Sequence, residues 1–155
     1  MSWRPELTVA AVIEREQRFL IVEERISGAR VFNQPAGHVE TGEALLAAVI
    51  RETREETAWE FRPSAMIGMY LWRKPRSDVY TLRFAFTGEL LNHDPTQSLD
   101  RPVIGTHWLS RDDLLVREPQ LRTPLVLRCI DDFLAGRRLP LSAVPTITDA
   151  AVAAG

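Results

Sequence analysis

The chain has a single cysteine, which excludes an internal disulfide framework. Cys129 falls in LVLRCIDDFL, an apolar-periodic segment where a free thiol reads as a small core hydrophobe rather than a nucleophile or ligand. No stretch approaches the roughly 20 apolar residues that cross a bilayer, and the start, MSWRPE, carries no basic apolar leader. A soluble, cytoplasmic protein with no membrane partner is expected. Charge of one sign is also lacking: 19 basic residues face 21 acidic ones, for a formal charge of -2. The basic residues form no long stripe, so nucleic acid is not the expected partner. The glycine and lysine pattern of a Walker loop is missing, which removes nucleotide chemistry driven by that loop. Lysine is nearly absent, and an arginine-based cation set suits discrete phosphate contacts better than diffuse binding.

At 155 residues the chain fits one domain able to bury a core without staples. Residues 7–14 and 18–25 are rich in β-branched side chains around a polar link and predict a hairpin. A small-residue loop at 27–29 precedes a short extended piece at 31–33, and Pro35 and Gly37 then interrupt regular structure. A helix is predicted from about Glu43 to Thr57, with Thr41 as a candidate cap. Strands are expected at 66–73, 79–90 and 104–109, and helices at 112–116, capped by Ser110, and 124–135, stopped by Gly136. From Leu141 the chain turns to small residues. A single domain over 1–143 and a loose tail over 144–155 are the expectation.

The segment GHVETGEALLAAVIRETREETAW, at 37–59, carries the chemistry. At roughly 100° per residue Glu52, Glu55 and Glu56 share one sector of the helix, while Leu46, Ala47, Ile50 and Thr57 point elsewhere. Like charges held this close destabilise a helix unless a cation compensates them. Carboxylates three and four residues apart can converge on a hard cation, and Mg²⁺ favours such oxygens together with retained waters. Arg51, four residues before Glu55, can pair with that carboxylate and orient it. A site of this kind neutralises a pyrophosphate and activates water for attack on a phosphoanhydride. A solvated glutamate face with compensating arginines is the competing reading of the helix alone. It gives Gly37 and Glu43 no meaning.

Gly37, Glu43, Arg51, Glu52, Glu55, Glu56 and Trp59 match in register a known pattern: Gly, five residues, Glu, seven residues, Arg-Glu, two residues, Glu-Glu, then a terminal apolar position. The chain resembles a Nudix hydrolase. The stretches LTVAAVI, FLIVEE, FNQPAGHVE, LRFAFTGEL, THWLS and LRTPLVLRCI look like its bacterial phosphatase subgroup NudJ. The resemblance implies an α/β/α sandwich with a mixed sheet between helices. It implies Mg²⁺, with Mn²⁺ able to substitute, held by Glu52, Glu55, Glu56 and the Gly37 carbonyl, one glutamate serving as general base. Arg51 would orient these groups, and Glu43 would be an auxiliary acidic or structural contact. The implied substrates are small phosphorylated molecules: hydroxymethylpyrimidine pyrophosphate, thiamine pyrophosphate and nucleoside di- and triphosphates. Thr53 departs from the bulky apolar residue the family prefers, and Ala58 from the glycine that ends its helix. If the backbone at 58 is left-handed, alanine there costs roughly 1–2 kcal/mol. The family's extra acidic group beyond the helix falls on Glu89 or Asp100.

Substrate contacts are sought outside the helix. Asn33 and Gln34 precede the turn and carry amides suited to a polar ring. Tyr70 and Trp72 could stack on a base, Arg83 could bind phosphate, Arg122 could face the cleft as a substrate contact, and His38 adjoins the metal-binding segment. Each has a bland alternative in sheet packing, loop hydrogen bonding or surface charge. The leading expectation is metal-dependent phosphoanhydride hydrolysis by a monomer, with a dimer as the alternative state. The rivals are a triphosphatase that clears oxidised nucleotides and a regulatory module that binds nucleotides without cleaving them.

Overall fold

The computed structural model describes residues 3–147. In chain order the elements are β1 (Glu6–Ala11), β2 (Glu14–Arg15), β3 (Arg18–Ile26), β4 (Ala29–Asn33), β5 (Ala36–His38), α1 (Leu45–Thr57), β6 (Trp59–Arg73), β7 (Tyr80–His93), β8 (Val103–Leu109), α2 (Arg111–Val116) and α3 (Leu125–Leu134). One sheet has the order β5-β1-β7-β6, with β1 parallel to β7 and its other pairs antiparallel. The second is built on β3, which pairs with β2, β4 and β8. The first sheet is mixed and the second antiparallel, and with the flanking helices they give the α/β class expected.

The predicted hairpin is corrected. β1 and β3 lie in different sheets, and only Glu14–Arg15 folds back on Arg18 and Phe19. Residues 12 and 13 carry the chain between the sheets: the Val12 amide donates to Phe86 at 2.7 Å, and Ile13 accepts from Leu20 at 3.0 Å. A run of β-branched residues shows that a segment is extended, but not which neighbour it pairs with.

Both faces of the first sheet are covered. Val9, Ala11, Phe84 and Phe86 pack with Ala48 and Val49 of α1, whereas Ala85, Ile67 and Tyr70 pack with Cys129 and Ile130 of α3. This double cover is why β7 alternates so weakly in sequence. Cys129 is buried, as expected of a core thiol.

α1 begins two residues later than predicted. Its first cap position is Ala44, which offers no side-chain bond, and Thr41 does not cap it. The side chain of Glu43 instead turns back to accept from the Glu40 amide at 3.1 Å. The buried face of α1 is also corrected: it comprises Leu45, Ala48, Val49, Thr53, Glu56 and Thr57, so Thr57 is there as expected and Leu46 packs partly buried against the core, whereas Ala47 and Ile50 are not fully buried. At the other end Ala58 has φ of 60°, and its amide donates to the Arg54 carbonyl at 2.8 Å. The position is therefore left-handed, as a family glycine would be. The Ser110 cap of α2 is present as a full capping box with Asp113. Val144 packs against the core, whereas residues 148–155 of the expected tail lie outside the described residues. Among the described residues no helix is long and apolar enough to cross a membrane.

Candidate active site

The site lies where α1 meets β5. Ala36 and Gly37 extend the chain beside the helix, and the Ala36 amide donates to the Glu56 carboxylate at 2.7 Å. Gly37 is needed for close approach: a Cβ there would overlap the Glu52 carboxylate. Across this contact runs a cleft of about 610 Å³ whose acidic wall includes Glu24, Glu52, Glu56 and Asp100.

Arg51 organises the acidic groups from one side. Its Nε and Nη2 donate to the two oxygens of Glu43 at 2.7 and 2.9 Å, a bidentate pair of fixed orientation. Its Nη1 reaches Glu52 at 2.9 Å and Glu55 at 3.1 Å, and Nη2 also donates to the His38 carbonyl at 3.0 Å. Hydrogen bonds from Arg51 hold the Glu43 carboxyl below the usual range despite its burial. Glu43 thus faces Arg51 rather than the cleft.

Glu56 is the most constrained carboxyl of the set. It is 7% exposed, and burial pushes its pKa up to about 9. The Ala36 amide opposes that shift, while nearby Glu24, Glu52 and Asp100 add to it. Glu52, Glu55 and Glu24 are raised as well, each chiefly by burial and each partly relieved by an arginine. Clustered carboxyls of this kind accept either protons or a cation. Among the described residues no three His, Cys, Asp or Glu groups are already converged as a closed metal cage. Arg51 draws Glu52 and Glu55 toward itself, and the centre offers hard oxygen donors, so the set suits a cation that keeps part of its water shell.

The structure brings most of the expected substrate residues together. Asn33, His38, Trp72, Arg83 and Arg122 all line the cleft with Gly37. Arg122 donates to Glu24 at 2.8 Å, and His38 stands at the exposed rim 3.6 Å from Glu6. Glu55 lies outside the cleft lining, more exposed than its two neighbours and beside Asp100.

Two expectations are corrected. Tyr70 sits beneath α3 with its hydroxyl donating to Asp132 at 2.7 Å, so it packs in the core and does not face the cleft. Gln34 is 1% exposed, and both ends of its amide are used: Nε2 donates to the Val126 carbonyl at 2.8 Å, and Oε1 accepts from Arg83 at 3.0 Å. Gln34 therefore positions Arg83 rather than touching a ligand. Of the two candidates for the extra acid, Asp100 lines the cleft, whereas Glu89 is paired with Arg62 on the exposed surface.

Comparison with known proteins agrees with this geometry. The NUDIX domain family model matches residues 4–128. The chain belongs to the Nudix hydrolase family. It is 39% identical over 142 residues to Phosphatase NudJ of Escherichia coli K12, covering 92% of each chain. A solved NUDIX hydrolase from Nitrosomonas europaea superposes with a TM-score of 0.90 at 41% identity, covering 93% of this chain and 98% of that one. A MutT protein from Methanosarcina mazei, 24% identical with a TM-score of 0.69 over 88% of this chain and 99% of that one, shares the fold. Nudix hydrolases act on small phosphorylated substrates and generally use divalent metal ions such as Mg²⁺.

Thr8 and Glu24 are among the cleft residues of this Nudix hydrolase that sequence reasoning missed. Glu24 gave a readable signal, a carboxylate at the end of the apolar strand FLIVEE. Thr8 gave none, because threonine is an ordinary strand residue.

Proposed function

We propose that this Nudix hydrolase cleaves a phosphoanhydride in a small organic pyrophosphate or a nucleoside di- or triphosphate, with Mg²⁺ or Mn²⁺ as cofactor. The observation that carries the reading is the buried Glu56 carboxyl, raised to about 9 amid Glu24, Glu52 and Asp100. A protein has no folding reason to gather these groups, whereas a divalent cation gives each of them a partner.

Glu52, Glu55, Glu56 and the Gly37 carbonyl would hold the cation, with Asp100 as the added acid. Once bound, it would neutralise the phosphate oxygens and lower the pKa of a coordinated water. Arg51 keeps the carboxylates aimed through the fork it forms with Glu43. Arg122, paired with Glu24, brings a positive charge to the cleft that suits a phosphate oxygen. Water attacks phosphorus, the bridging P–O bond breaks, and one carboxylate of the set accepts the water proton. The relatives named phosphatase favour release of orthophosphate.

The test is turnover of hydroxymethylpyrimidine pyrophosphate, thiamine pyrophosphate, ordinary nucleotides and oxidised dGTP with Mg²⁺ by the natural chain and by folded Glu55→Gln and Glu56→Gln proteins. Both variants are expected to lose most activity. Metal-dependent turnover retained in both would overturn the assignment.

A further inference from the structure

Arg83 is 4% exposed, and among the described residues its guanidinium has no carboxylate partner. Its Nη1 donates to Gln34 at 3.0 Å and its Nη2 to Asn33 at 3.3 Å, both neutral amide oxygens. Gln34 is in turn tied to α3, so the fork is held rather than mobile. Burial, with a smaller push from nearby Arg122, drives its pKa down, against the opposing influence of Cys129 and Glu56. A cation buried with neutral partners destabilises the fold unless it serves something else.

Among the described residues the Nε of Arg83 and the Oγ1 of Thr8 are buried side-chain atoms without a hydrogen-bond partner. They are neighbours: Thr8 stands directly opposite Arg83 in the parallel β1–β7 ladder, so both side chains leave the same face of the sheet. Thr81, two residues earlier on β7, and its β6 partner Trp72 continue that face, and all four residues line the cleft. One cleft wall therefore combines a planar indole with a guanidinium and a hydroxyl, on neighbouring strands, that each keep an unused buried polar atom.

We propose that Arg83 and Thr8 are specificity-determining residues that select substrates whose planar ring presents a carbonyl oxygen, and reject isosteres with an amino group there. Guanidinium offers donors only, so an amino group opposite the Arg83 Nε–H meets a donor it cannot pair with, whereas a carbonyl oxygen can accept from both Arg83 and the Thr8 hydroxyl. Uracil and guanine present such an oxygen where cytosine and adenine present an amine. The inference rests on the proposed hydrolysis of phosphorylated substrates and adds the class of ring.

The experiment compares kcat/KM for UTP against CTP and for GTP against ATP, with UMP and CMP binding measured by calorimetry. The natural chain is expected to favour the carbonyl member of each pair by at least about tenfold, because unpaired buried polar groups discriminate strongly. Thr8→Val keeps the shape and removes the hydroxyl, and the preference is expected to fall about fivefold. Arg83→Met should bring the ratio to about one. Should Arg83→Met fail to fold, Thr8→Val alone decides. Equal use of both members by the natural chain overturns the proposal. So does an unchanged ratio in the variants, which would mean that Arg83 seats a phosphate common to all four nucleotides. If no nucleotide is hydrolysed but UMP still binds more tightly than CMP, ring selection stands and the hydrolytic reading falls; equal or absent binding overturns the ring proposal too.

Discussion

Replacing Glu56 with glutamine should remove a large share of the pH dependence of stability in the metal-free protein. The folded-state pKa of Glu56 is about 9, against an unperturbed 4.5. A carboxyl raised on folding contributes stability that is fully present below the unfolded value and is lost as pH rises toward the folded value. In that window the folded chain holds one proton more than the unfolded chain. The slope approaches about 1.36 kcal/mol per pH unit, so between about pH 5.5 and 7.5 the loss is on the order of 2–3 kcal/mol. Glutamine imitates the protonated acid: it keeps an oxygen to accept from the Ala36 amide and adds no charge.

The assay is urea unfolding in EDTA across that pH range, followed by the fluorescence of the four tryptophans. Glu24, Glu52 and Asp100 are present in both proteins, so the difference between them isolates Glu56. The variant should gain on the natural chain by about 2–3 kcal/mol from the acidic to the alkaline end. Added Mg²⁺ at the alkaline end should stabilise the natural chain, by about 2.7 kcal/mol at a hundredfold excess over Kd, and the variant much less. A difference that stays flat with pH would refute the argument that burial holds this carboxyl neutral.

Three further outcomes follow from named contacts. Gly37→Ala should lower kcat by about 10–100-fold with secondary structure intact by circular dichroism, because a methyl there displaces Glu52; turnover within twofold would show that Glu52 is not held by that contact. Ser110→Ala removes the acceptor for the Asp113 amide at 3.1 Å, and should shift the urea midpoint by an amount equivalent to about 1 kcal/mol. Ala58→Gly relieves about 1–2 kcal/mol of left-handed strain but adds about 0.4–1 of chain entropy and removes a buried methyl worth about 0.8. Its net effect on the midpoint should stay within about 1 kcal/mol of zero.

The elements themselves were legible because their signals are local. Ser110 announced its helix by side-chain chemistry, and Gly136, with φ of +83°, marked the stop after α3. Pairing was not local. The choice of β7 rather than β3 as the partner of β1 depends on which faces α1 and α3 cover, and no period in residues 7–25 encodes that. The buried stripe of α1 was misplaced because Thr53 and Glu56 look polar. Thr53 satisfies its hydroxyl on the Val49 carbonyl at 2.8 Å and can be buried completely, which also explains how it replaces a bulky apolar residue.

The acidic half of the candidate site was written in a contiguous segment, because α1, the turn before it and strand β5 supply Gly37, Glu43, Arg51, Glu52, Glu55 and Glu56. The substrate half draws on β1, β3, β4, β6, β7 and the approach to α3. Its residues meet only after the sheets form, so their roles follow from partners that sequence spacing does not reveal. Gln34 and Asn33 carry the same functional group one residue apart, yet Gln34 is consumed by Val126 and Arg83 whereas Asn33 reaches the cleft. Both amide oxygens accept from the same Arg83 guanidinium, and what separates them is the other end of Gln34, which is tied to the Val126 carbonyl of α3, whereas Asn33 lines the cleft. The same logic makes Thr8 matter. Its hydroxyl gains a role only because Arg83 arrives opposite it from a strand more than seventy residues away.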